Sequence, residues 1–300
     1  MKSAIALIRF FFLMFVVLIG FLSSCKSPID IDTDDSDPVI VIYGILTDEY
    51  KQQEVRVSIS SPYFYDQSNA SISGAVVTIE SSDGKLFELL EANAIPGLYQ
   101  TASSWAAVPG ITYRLNVSVD FNGDGVIETY QAETRIIPFA GIDSLNINAI
   151  DIMGFDHFSV NAYWQDEPGE DHYLCKYAIN DSLITEKISL FQCFEDTSLD
   201  GEYIDGFPIW YFDAKSTEHK IPDDIKEDIV IFVDSGDKIE LQMSRITKGF
   251  YDFIIQCQQE MRGENPMFGG PASNITTNIS NGGVGYFSGY CIRRAYGEAP

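Results

Sequence analysis

The chain has 300 residues, ordinary hydrophobic content and a formal charge of −25 at pH 7. So acidic a surface repels polyanions, which excludes nucleic acid as a partner and leaves cations, neutral sugars and basic proteins open. The length suits two domains that each bury a core once a leader has been removed.

The first forty positions change character abruptly. Lys2 and Arg9 give a short positive start, and Phe10 to Leu22 follows as an apolar run, the order of a secretory signal peptide over 1–24. The run from Ile5 to Leu22 approaches spanning length, but Arg9 within it disfavours an anchor helix. Leu22-Ser23-Ser24-Cys25 resembles a bacterial lipobox. Its small residues admit a peptidase, and the Cys25 sulfur can take a diacylglycerol through a thioether. Each buried acyl methylene contributes about 0.8 kcal/mol, so several chains hold such a protein at the membrane. An ordinary signal peptide with an incidental cysteine is the alternative.

Asp30, Asp32, Asp34, Asp35 and Asp37, with Pro28 and Pro38, make 25–38 too charged and too interrupted to fold. The stretch reads as a tether. Lys26 follows the cysteine where an aspartate would favour inner-membrane retention, and the acidic residues beyond resemble the surface-export signal of Bacteroidota lipoproteins. The expected location is the outer membrane, with its outer face favoured; a merely solvated acidic linker is the plain alternative.

The fold class expected is mostly β. Over 39–138, Val55, Val57 and Ile59 alternate with polar neighbours, as do Tyr113, Leu115, Val117 and Val119. Turns at Asp83-Gly84 and Pro109-Gly110 bound such strands, which argues an immunoglobulin-like β-sandwich. A second β-rich domain is expected over 139–300. In it, "HYLCKYAINDSLITEKISLFQCF" reads as a hairpin in which Cys175 and Cys193, equidistant from Ile184, face each other as a disulfide. The segments 227–233 and 238–243 read as a second hairpin around "DSGD". One amphipathic helix is expected at about 245–262, capped by Ser244, with Ile246, Phe250, Ile254, Cys257 and Met261 as its apolar stripe and Gly263 as its stop. Cys257 then reads as a buried thiol, with a bridge to Cys291 as the alternative. A closing strand ends the chain.

"VIYGILTDE", "GAVVTIESSDG", "PGITYRLNV" and, after the helix, "ITTNISNGGVGYFSGY" together resemble the Bacteroidota lipoproteins of domain of unknown function 4249. The run from Gly74 to Val119 in the N-terminal sandwich also looks like an exported carboxypeptidase-regulatory or transthyretin-like module. The family resemblance implies an accessory surface lipoprotein beside a TonB-dependent outer-membrane receptor. It assigns no catalytic residues.

Chemistry is sparse. "DFNGDGVIETYQAE" places Asp120, Asn122 and Asp124 at alternate positions before Gly125, the first half of a calcium loop, with the Val126 carbonyl and Glu128 completing a ligand set. Gln131 stands where a bidentate glutamate belongs, and Glu133 would serve only in a different loop geometry. The alternative is a plain hairpin turn. Asp166, Glu167, Glu170, Asp171 and His172, with Glu195, Asp196, Asp200 and Asp205, are the acids a glycoside hydrolase would draw on, against a reading as solvated loops. His157, His172 and His219 lack zinc-type spacing, which favours surface or core roles. Trp105, Trp164 and Trp210, with Tyr203 and Tyr211, are candidates for stacking on sugar rings; Tyr203, Trp210 and Tyr211 in "EYIDGFPIWYFDA" are the favoured contacts, against packing between sheets.

The expected function is therefore a non-enzymatic, lipid-anchored accessory that binds a small molecule or glycan for a TonB-dependent receptor. A surface glycan-degrading enzyme and a structural or adhesive lipoprotein are the other readings.

Overall fold

The computed structural model describes residues 38–60, 70–197, 200–220, 230–261 and 275–300. Cys25, the leader, the acidic tether, Gly263 and Pro266 lie outside the described residues. The chain is mostly β, as its alternating patterns require. Residues Pro38–Pro300 form one compact unit.

The first half supplies β1 (Ile40–Thr47), β2 (Glu54–Ile59), β3 (Ala70–Ser71), β4 (Val76–Ser81), β5 (Leu86–Glu91), β6 (Leu98–Thr101), β7 (Thr112–Val119) and β8 (Glu128–Arg135). The second half begins with β9 (Ser144–Ile152), β10 (Phe155–Gln165), β11 (His172–Ile179), β12 (Ser182–Leu183) and β13 (Gln192–Glu195). It continues with β14 (Tyr203–Ala214), β15 (Phe232–Val233), β16 (Lys238–Ile246), helix α1 (Lys248–Met261), β17 (Val284–Tyr290) and β18 (Arg293–Glu298).

A nine-stranded sheet runs β17-β1-β2-β6-β5-β4-β7-β8, with β3 paired to β2. Its strands alternate as expected. Tyr113, Leu115, Val117 and Val119 of β7 point inward opposite Tyr130 and Ala132 of β8, all buried. Each such aliphatic side chain contributes roughly 1.5–3 kcal/mol on burial.

The sheet is not built from the first half alone. β17 lies parallel to β1, from Val41↔Val284 to Thr47↔Tyr290. A bridge between Ile137 and Tyr290 brings the far end of the sheet back to β17, so the sheet curls toward a barrel. Asn278 clamps the seam. Its amide oxygen accepts the Phe287 N–H at 2.9 Å, and its amide nitrogen donates to the carbonyls of Phe287 and Glu133 at 2.8 and 3.1 Å. A domain boundary near Pro138 is thus corrected: β17, far beyond it, completes the first sheet, and one apolar core spans both halves.

The second half is a sandwich. A four-stranded sheet, β15-β14-β10-β9, packs on a five-stranded one, β12-β11-β16-β18, in which β13 also pairs β11. Aromatic rings fill the gap: Trp164 meets Tyr173 edge-on at 5.8 Å, and Tyr177 meets Phe212 edge-on at 5.3 Å. β15 pairs parallel to β14, so the expected hairpin around "DSGD" keeps its turn while its two strands enter different sheets.

Helix α1 begins later than expected. Ser244 and Ile246 are buried strand residues of β16, and Thr247 takes the capping role, with its carbonyl accepting the N–H of Phe250 and of Tyr251, each at 3.0 Å. Phe250, Phe253, Ile254 and Cys257 are buried against Leu174, Ile246, Tyr286 and Tyr290, while Met261 is exposed. The helix thereby covers the five-stranded sheet on one side and β17 on the other.

Gly285 sits at φ +104°, and a Cβ there would lie 2.1 Å from the Ile42 carbonyl oxygen. Only glycine allows β17 to run this close to β1. Gly285→Ala should lower the unfolding free energy by more than about 3 kcal/mol, combining backbone strain with a displaced strand. Urea denaturation of the variant against wild type measures this.

Candidate functional site: an acidic corner on two faces of one sheet edge

The loop 166–171 leads into β11, and β13 leads out toward Asp200. Backbone bonds tie the two loops together: Asp166 N–H donates to the Glu202 carbonyl at 3.1 Å, and Asp196 N–H to the Asp171 carbonyl at 3.2 Å. The register pairs His172 with Glu195 and Tyr173 with Phe194. Side chains alternate across a strand. Asp171, Tyr173, Phe194 and Asp196 therefore share the face toward the sandwich interior, and Glu170, His172, Glu195 and Cys193 share the face toward α1.

On the inner face Asp166, Asp171 and Asp196 are buried, not solvated as acidic loops ordinarily are. Their oxygens are largely used. Asp166 accepts the Tyr173 hydroxyl and, at 2.9 Å, the Gly201 N–H. Asp196 accepts the Asp171 N–H at 2.9 Å, Asp200 accepts the Gly169 N–H at 2.7 Å, and Asp171 is ion-paired to Arg245 of β16. Asp171 Oδ2, Asp196 Oδ2 and Arg245 Nε have no hydrogen-bond partner. Burial pushes the Asp166 and Asp171 carboxyls above their ordinary range; the Tyr173 hydroxyl and the Arg245 guanidinium oppose this without cancelling it. Burial and the neighbouring Asp166 carboxylate likewise drive the Tyr173 phenol upward. Glu167 and Asp205 remain exposed.

On the outer face, His172 Nε2 lies 3.7 Å from Glu170 Oε1 and 3.9 Å from Glu195 Oε2. His157 instead bridges Asp213 at 3.2 Å and the Phe155 carbonyl at 2.8 Å, and His219 is exposed.

The expected disulfide is not formed: Cys175, Cys193, Cys257 and Cys291 are all free thiols. The reason is register. β11 and β12 turn tightly at Asn180 and Asp181, both at positive φ, and the chain then detours through 184–191 before β13 returns to β11. Cys193 ends opposite Leu174, and Cys175 opposite Gln192. A one-residue offset puts the thiols on opposite faces of the sheet. Cys175 lies in the main core and Cys193 beside the helix, where burial pushes its thiol up to about 12.

Asp120, Asn122, Asp124 and Val126 lie in the β7–β8 connection, exposed from Asn122 to Ile127, whereas Glu128 opens β8 and is half-buried. Asp120 Oδ1 accepts the N–H of Gly123 and Asp124 at 2.8 and 3.1 Å, and Oδ2 that of Gly125 at 2.9 Å. Asp124 Oδ1 accepts the Val126 N–H at 2.8 Å. Gln131 is engaged by Asn116, and Glu133 by Arg114 at 2.8 Å. These bonds build a closed turn from the same residues that would ligate calcium.

Tyr203, Trp210 and Tyr211 share β14 without forming one platform. Trp210 packs inward, stacked on Tyr177 at 6.4 Å, whereas Tyr203 and Tyr211 are exposed. Eight steps along β14, interrupted by two register shifts, separate those two tyrosines by at most roughly 26 Å. Trp164 is sealed in the core, and Trp105 stacks on Phe87 at 3.9 Å.

Two consequences are measurable. Arg245→Met leaves Asp171 buried and unpaired, which should destabilise the fold by about 3–5 kcal/mol in urea, and adding Asp171→Asn should recover part of that loss. A raised carboxyl binds its proton more tightly in the folded state, so its stabilising contribution is complete below the unfolded value, about 4, and is lost as pH rises through the folded value. Between about pH 4 and 7, Asp166→Asn should therefore lose less stability than wild type in parallel urea titrations.

No curated protein matches the chain. The family model described as a domain of unknown function (DUF4249) matches residues 26–294, nearly all of the sequence beyond Cys25. The "ITTNISNGGVGYFSGY" stretch within that match is the segment that supplies the Asn278 clamp and β17. The chain belongs to the DUF4249 family.

Proposed function

We propose that this protein is a lipid-anchored lipoprotein of the Bacteroidota outer membrane, exposed at the cell surface, that serves a TonB-dependent uptake system as a binding accessory without catalytic activity. The observation that carries the reading is the order of segments around Cys25. An apolar leader and a lipobox-like Leu22-Ser23-Ser24-Cys25 precede an acidic stretch, the family match starts at the next residue, and the folded unit begins at Pro38. Acyl chains on Cys25 would hold the protein to the membrane, and the tether would set its reach. Partner contact falls to the loops at strand ends.

The three buried acids of the corner do not favour glycan hydrolysis. Asp166, Asp171 and Asp196 are sealed from solvent and held by Tyr173, Arg245 and backbone N–H groups, so a sugar has no access to them as an acid–nucleophile pair.

Fractionation tests the anchor: the wild-type chain should sediment with outer membranes, and Cys25→Ala should appear in the soluble fraction. A tagged wild-type chain should co-purify a TonB-dependent receptor from detergent extracts. A membrane-bound Cys25→Ala chain would overturn the anchor, and lipidated protein that brings down no receptor would overturn the uptake role.

A further inference from the structure

The outer face of the acidic corner carries chemistry that a binding scaffold does not need. His172 opens β11, Glu195 is its direct partner across the strand pair, and Glu170 stands two residues earlier on the same face. One ligand atom from each of the three lies within 4.8 Å of the others. The His172 side chain is only 4 % exposed, and its Nε2 has no hydrogen-bond partner. The nitrogen is aimed at two carboxylates yet lies 3.7 and 3.9 Å from them, beyond hydrogen-bond reach. Three donors around a shared gap leave room for an ion that touches all of them.

We propose that Glu170, His172 and Glu195 bind a divalent transition-metal ion of the zinc type, through one imidazole nitrogen and two carboxylate oxygens. Bonds of about 2.0 Å in a tetrahedral arrangement place donors about 3.3 Å apart, so each His172–glutamate distance need close by only about half an ångström and the glutamate–glutamate distance, within 4.8 Å, by at most about 1.5 Å. The glutamates supply that movement, since their side chains are 68 % and 48 % exposed. The imidazole supplies the fixed point. Tyr251 of α1 packs edge-on against its ring at 4.8 Å, and the β11–β13 and β11–β16 registers hold its backbone. Lys248 gives its hydrogen bonds to Asp252 at 3.1 and 3.2 Å, so its ammonium stays out of the gap although its charge reaches both glutamates. The mixed nitrogen and oxygen set favours zinc-type ions over calcium, which prefers oxygen alone. With three protein ligands, a fourth position opens toward solvent for water or a donor from another molecule. The site depends neither on the lipid anchor nor on a receptor.

The test uses the purified chain stripped with a chelator. Zn2+ should bind against a chromophoric competitor, and Co2+ should produce a visible d–d absorption band at the same stoichiometry. Glu195→Gln, at a half-exposed position that leaves the fold intact, should weaken Zn2+ by at least about tenfold. His172→Gln should abolish the cobalt band, whereas Glu88→Gln, at an exposed position of β5 in the first sheet, should change neither readout. Thermal melting checks that each variant is folded, and added Zn2+ should raise the melting temperature of wild type but not of Glu195→Gln. Absence of Zn2+ binding below 100-fold excess over protein, equal affinity in wild type and folded Glu195→Gln, or Ca2+ displacing Zn2+ at equal concentration would each overturn the proposal.

Discussion

The parallel pairing of β1 with β17 is the contact on which the remaining architecture depends. Seven residue pairs join the first described strand to the penultimate one. Around them gather Asn278, which acts as a side-chain splice between β17 and the end of β8, and Gly285, which lets the backbones approach. Ion pairs lock the same corner: Asp48 to Arg293 at 2.6 Å, and Arg294 to both Glu49 and Glu240. With β17 in place, α1 has two surfaces to cover and the aromatic cluster of Phe250, Phe253, Tyr286 and Tyr290 can form. The most distinctive stretch of the family resemblance thus has a physical explanation as a closure device, and it names no ligand.

The acidic corner follows from a different constraint, the twofold alternation of a strand. Within "EDHY" and "FED", every second residue goes to the same side. One side meets the sandwich interior, where Arg245 holds Asp171, Tyr173 holds Asp166 and a backbone N–H holds Asp196, all three carboxylates buried. The other meets the helix, where one histidine stands between two glutamates. A single sheet edge therefore carries two unlike environments a few ångströms apart, one a structural charge network and the other open to a small ion.

Local patterns in the sequence carried the strands well. "VRVSIS" and "YRLNVSV" became β2 and β7 because alternation is decided within the segment itself. The stripe of Phe250, Ile254 and Cys257 likewise became the buried face of α1. What stayed hidden was pairing. Nothing local says that β15 joins β14 in parallel, that β17 crosses to the first sheet, or that a detour between β12 and β13 shifts the cysteines by one place. Ser244 looked like a cap because it precedes an apolar stripe, yet β16 continues past it and turns directly into the helix. The burial of Asp171 was equally invisible, since Arg245, its counter-charge, lies on a distant strand. A site made of one histidine and two glutamates has no spacing between like residues for a sequence to display.

The splice between the first and penultimate strands also sets a schedule for synthesis. Roughly 240 residues separate the partners, so at about 5–20 residues per second β1 spends on the order of 12 to 50 seconds without its neighbour. Throughout that interval its hydrogen-bonding edge is bare, and an unoccupied strand edge is an invitation to the wrong chain. A copy still without its tail, if β1 has already formed, offers that strand as an open edge to a second chain.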